Sequence, residues 1–78
     1  FRSIHRTLEG TMTIAEFNRQ FKADLPGAAQ QTLSDLLISQ VDHPLSRSEM
    51  VRIAGYEFTV IEPTLRGVKT LYVHSLQE

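Results

Sequence analysis

The sequence predicts an α+β domain: a short N-terminal strand, two helices, then a three-stranded antiparallel meander, with the helices packed on one face of the sheet. Three observations carry this. A T-x-x-E pattern at Thr13 and Glu16 opens a run of helical apolar spacing. A second run, Ala29, Leu33, Leu36, Leu37 and Val41, recurs at three and four. From Val51 onward the period drops to two. The order strand, helix, helix, three strands does not fit a βαβ series, which argues against a doubly wound sheet.

Each element has a local cause. Ser3 to Leu8 alternates apolar and polar residues, with Ile4 and Leu8 on one face, and Gly10 ends the strand. Thr13 can accept from the Glu16 N–H while the Glu16 carboxylate returns to Thr13. Met12 and Phe17 are spaced for a hydrophobic staple across that cap. Ile14, Phe17 and Phe21 then form one stripe, giving a helix from Ile14 to near Lys22. Leu25-Pro26-Gly27 interrupts the chain, because proline cannot continue a helix and holds Leu25 extended. The second helix is expected from near Ala28 to Val41, stopped by Asp42-His43-Pro44. Residues 45–49 read as a polar loop. Val51 to Ile53 and Tyr56 to Ile61 read as a hairpin about Ala54-Gly55, although Asn or Asp suits the first turn position better. Residues 62–67 make a second turn, and Val68 to His74 is the last strand.

The chain has 78 residues, no cysteine and a net charge of −1. That length is one domain near the lower limit for a self-sufficient core. The eight Lys and Arg residues are scattered, so the cationic stripe that displaces phosphate counterions is missing and no nucleic-acid partner is expected. No stretch reaches the roughly 20 apolar residues of a membrane-spanning helix. The chain begins at Phe1 without an initiator Met, so the expectation is a fragment of a larger protein whose other segments span a membrane.

Chemistry-bearing residues do not assemble into a catalytic pattern. His5, His43 and His74 fall on three different elements, without the spacing of a metal site. Asp42, His43 and Glu49 are the one local group that could share an ion; surface histidines are the plain alternative. The serines lack a G-x-S-x-G context, and the four glycines are isolated, each with a turn explanation. No enzyme is expected. Tyr56, Phe58 and Tyr72 could form an aromatic platform for a cofactor; period-two aromatics on strands also simply pack a sheet.

Four blocks carry a family resemblance across nearly the whole chain. They are Leu8-Glu9-Gly10-Thr11-Met12-Thr13-Ile14-Ala15-Glu16-Phe17-Asn18; Leu25-Pro26 with Thr32-Leu33-Ser34-Asp35-Leu36-Leu37-Ile38; Gly55-Tyr56-Glu57-Phe58-Thr59-Val60-Ile61-Glu62; and Arg66-Gly67-Val68-Lys69. In this order and spacing they resemble the transporter-associated domain of the CorC/HlyC family. Two departures stand out: Ser34 occupies a position where glycine is common, and Asp42 to Glu49 lacks the family's Gly-His and Pro-x-x-Gly-Glu turn.

The resemblance implies a cytosolic module at the inner face of the bacterial membrane, in a multi-pass protein with a transmembrane domain and paired CBS domains. It implies a link to magnesium and cobalt efflux, with haemolysin-like relatives, and partners within the parent chain or a second copy of it. Three readings of function follow. The first is a regulatory or interaction module that modulates transport, with no resident cofactor. The second is a small-ligand module for FAD or an adenine nucleotide, suggested by the family's fold-level likeness to FAD-binding domains and by Tyr56, Phe58 and Tyr72. The third is direct metal sensing through Asp42, His43 and Glu49.

Overall fold

The computed structural model describes residues 5–75. Its elements run β1 (His5–Glu9), α1 (Ile14–Phe21), α2 (Leu33–Ser39), β2 (Met50–Ile53), β3 (Tyr56–Thr64) and β4 (Gly67–Ser75). Ser3 and Ile4, where the first strand was expected to start, lie outside the described residues.

Helix α1 begins where the capping pattern placed it. Glu16 N–H donates to Thr13 Oγ1 at 3.1 Å, and Thr13 N–H donates to Glu16 Oε1 at 3.0 Å. The Thr13 N–H first, and the Thr13 hydroxyl second, donate to the Glu16 carboxylate and hold it below its ordinary pKa. At the far end Lys22 adopts a left-handed φ of 53° and turns its N–H onto the Asn18 carbonyl. The Asn18 side chain then accepts the Leu25 N–H at 2.8 Å, which seats the buried Leu25.

Helix α2 is shorter than the apolar spacing implied. It starts at Leu33 because Thr32 and Asp35 form a second capping box, with Asp35 N–H on Thr32 Oγ1 at 3.1 Å. Ala29 lies in the preceding loop, where its carbonyl accepts Ala15 N–H at 3.1 Å. Val41 lies past the helix end but still packs on the core. The two caps are joined to one another. Thr13 and Thr32 make an antiparallel bridge, Ile14 N–H donates to the Gln31 carbonyl at 2.7 Å, and Leu33 N–H donates to the Met12 carbonyl at 2.8 Å. Helix N-termini leave such N–H groups without partners inside the helix; here each helix start satisfies donors of the other.

The sheet has four antiparallel strands in the order β1-β4-β3-β2. The expected meander is therefore one strand wider, because β1 joins its β4 edge. The β2–β3 turn places Ala54 at φ 51° and Gly55 at φ 87°, a two-residue turn of the kind that suits the strands' twist. Glycine takes such a φ freely, whereas alanine does so at a cost of about 1 kcal/mol.

Strand β3 runs on to Thr64, through Pro63, which the sequence placed in a turn. The reason is a pair of register shifts, between Val60 and Glu62 and between Glu62 and Pro63. They add a residue to each strand, so Val68 returns to the inner face and lies opposite Pro63. The Val68 N–H turns away from β3 and donates to Ser34 Oγ at 2.9 Å, so the missing proline donor costs no ladder bond there.

Both helices lie on the face that carries Leu8, Val51, Ile53, Phe58, Val60, Val68, Leu71 and Val73. With Ile14, Phe17, Leu25, Leu33, Leu36, Leu37 and Leu45 these residues form one buried cluster. Phe17 is fully buried and meets Phe58, Tyr56 and Phe21 at centroid distances of 5.8, 5.4 and 4.7 Å.

The Ser34–Val68 bond gives a direct check on how α2 is seated. Ser34→Ala leaves a buried N–H without its acceptor, and the expected loss is about 1–2 kcal/mol. It is read as a lower urea midpoint with an unchanged slope; an unchanged midpoint would show that the bond contributes nothing.

Candidate functional site

The residues singled out from the sequence fall in three places. Asp42, His43 and Glu49 lie on the α2–β2 loop. His43 Nε2 and Glu49 Oε2 are 3.2 Å apart, and His43 Nδ1 lies 3.0 Å from the Pro44 carbonyl. The other Glu49 oxygen accepts Ser46 N–H at 2.9 Å. The loop is thus clasped by a histidine whose two ring nitrogens both have protein partners. Asp42 adds only a weak electrostatic contribution to that histidine. Among the described residues, no group of three or more His, Asp or Glu converges to hold a metal ion.

The aromatic trio is divided between the two faces of the sheet. Phe58 pairs with Val73 and Thr59 with Tyr72, so the period of two turns Tyr56 and Phe58 inward and Tyr72 outward. Tyr56 and Phe58 are spent on Phe17 and the core. The three side chains therefore do not form one platform.

The outer face of the sheet was not singled out by sequence, and it is the chemically richer surface. Its strand residues include His5 and Thr7 on β1, Tyr72 and His74 on β4, Glu57 and Thr59 on β3, and Met50 and Arg52 on β2; none is buried. A polar row crosses it. The His5 Nδ1 is 3.0 Å from the Tyr72 hydroxyl, and the His5 and His74 rings stack at 4.7 Å with 23° between planes. His74 Nδ1 lies 3.9 Å from Glu57 Oε1, and Arg52 Nε donates to Glu57 Oε2 at 3.3 Å. The Glu57 side chain is 17% exposed, less than that of Arg52 or His74. Sequence reasoning separated His5 from His74 because they sit at opposite ends of the chain. The strand pairing places them directly opposite one another. The only available signal was the alternation of both terminal strands.

Chemically, this row offers hydrogen-bonding and charged groups. Met50, paired with Thr59 on this face, is 59% exposed; Ile61 on β3 is 39% exposed, and Leu65 at the β3–β4 turn 97%.

The loop clasp is pH-sensitive. The Pro44 carbonyl first, and the Glu49 carboxylate second, raise the His43 pKa above its ordinary value. A raised folded-state value means that the clasp adds stability below about pH 6.5, where the histidine of the unfolded chain is protonated as well. That contribution fades as pH rises through the folded-state pKa. The expected outcome is a urea midpoint that falls slightly from mildly acidic to mildly alkaline pH in the wild type, with the fall reduced in His43→Ala.

Residues 5–77 match the family model described as "Transporter associated domain", CorC_HlyC. No curated protein matches the chain. The fold is similar to that of a crystal structure of a functionally unknown conserved protein from Haemophilus influenzae Rd KW20. The TM-score is 0.85 and the identity 17%, over 97% of this chain and 100% of that one. At that identity the likeness speaks for the fold alone. Among the described residues no helix is long and apolar enough to cross a membrane. The matched segment takes in every described strand and helix, and the chain belongs to the CorC/HlyC transporter-associated domain family.

Proposed function

We infer that this domain is a non-catalytic regulatory module of a CorC/HlyC-type membrane transporter that moves magnesium or cobalt ions. In this reading it docks on the CBS domains or the transmembrane domain of its own parent chain, at the cytosolic face of the inner membrane. The observation that carries the reading is the family match over residues 5–77. The division of the sheet supports it: one face is consumed by the core, and the other presents a hydrogen-bonding row, with Met50 and Ile61 exposed. A half-polar, half-apolar face of this sort suits an interface that must form and release. Regulation requires the domain to bind one state of the transporter better than another, since equal affinity for both shifts nothing.

The test is transport by the parent protein. Deleting residues 5–77 is expected to change magnesium or cobalt efflux, or its response to regulation, with the remainder still inserted in the membrane. Tyr72→Ala with Arg52→Ala is expected to reproduce part of that change, while the isolated domain keeps its thermal midpoint within a few degrees. Transport and regulation unaffected by the deletion would refute the reading.

A further inference from the structure

The polar row on the outer face also contains a paired set of histidines. His5 and His74 are cross-strand partners with stacked rings 4.7 Å apart. The Tyr72 hydroxyl lies 3.0 Å from His5 Nδ1, within hydrogen-bonding distance, and the Glu57 carboxylate lies 3.9 Å from His74 Nδ1, beyond it. Metal-ligating histidines commonly have one ring nitrogen held this way by a hydroxyl, carbonyl or carboxylate, which fixes the ring and leaves the other nitrogen for the ion. Here the nitrogen left over on both rings is Nε2. Glu57 is itself paired with Arg52 at 3.3 Å and places a carboxylate beside His74.

We propose that His5 and His74 form a two-histidine chelate for a divalent transition ion of the zinc, copper or nickel class, with water completing the coordination. Imidazole nitrogen selects these borderline ions over magnesium, which favours oxygen ligands. An ion about 2.0–2.1 Å from each nitrogen sets the two nitrogens roughly 3–4 Å apart. The rings sit on directly paired residues with centroids 4.7 Å apart, and both must turn about their side-chain torsions for the two Nε2 atoms to face one ion. His5 is exposed and the His74 side chain is 39% exposed, so an ion has free access. Binding needs neutral imidazoles, so affinity falls on acidification. The site ties the edge strand β1 to β4, and an ion bound only in the folded state stabilises that state by mass action.

The test is a titration of tag-free, histidine-labelled protein with zinc chloride, followed by nuclear magnetic resonance of the imidazole protons. Saturable shifts of His5 and His74, with His43 unmoved and magnesium chloride without effect, are expected. His5→Ala should weaken binding at least tenfold. If His74→Ala fails to fold, the wild-type resonances still locate the ion. No shift of His5 and His74 up to about millimolar zinc would overturn the proposal. So would zinc binding that tracks His43, or that survives His5→Ala unchanged.

Discussion

The fold depends on how closely β1 can pass the start of β4. Gly10 lies where a β-carbon would run into the Val68 carbonyl oxygen and press on the Ser34 side chain. With no side chain there, Gly10 N–H reaches the Lys69 carbonyl at 2.8 Å, and the Gly10 carbonyl accepts Ser34 N–H at 3.0 Å. One residue thus fastens the end of β1, the start of α2 and the start of β4. Ser34 completes the junction by accepting the Val68 N–H. From this point the Thr13–Thr32 bridge aligns the two helix starts, and their apolar faces close over the sheet.

That construction leaves the domain two-faced. Everything apolar and fully buried lies on the helix side, where Phe17, Phe58, Leu71 and Val73 have no exposure. The outer side is built from threonines, histidines, a tyrosine and an ion pair, with isolated apolar groups at its margins. A module this small cannot spare core residues for chemistry, since each buried large side chain contributes roughly 1.5–3 kcal/mol to a marginal total. In the proposed function, contact falls to the surface that the core does not need. The histidine pair sits there because β1 and β4 run antiparallel and in register, which brings nearly opposite ends of the chain together.

Local signals in the sequence located elements better than they located neighbours. The T-x-x-E box at Thr13 fixed the start of α1, and alternation after Val51 fixed the hairpin. The start of α2 was misplaced because Ala29 continues the apolar spacing, while the decisive signal, Thr32 with Asp35 three residues on, uses a shorter acid than the usual box. Pro63 was read as a turn because the paired register shifts that make a strand tolerate it depend on β4. The clasp of His43 and Glu49 was visible as a local grouping, although Asp42 plays little part. The aromatic trio was split by register, and the His5–His74 pair could not be seen at all before β1 had a neighbour. Apart from the start of α2, which turned on a local capping pair, each failure involves a partner strand, which periodicity cannot supply.

The most direct measurement is the equilibrium unfolding of Gly10→Ala by urea. If the close approach at Val68 governs how β1, α2 and β4 meet, one added methyl group must push the backbones apart. The variant should then lose at least about 2 kcal/mol of stability. A variant within about 0.5 kcal/mol of the wild type, the range of ordinary surface changes, would contradict the account.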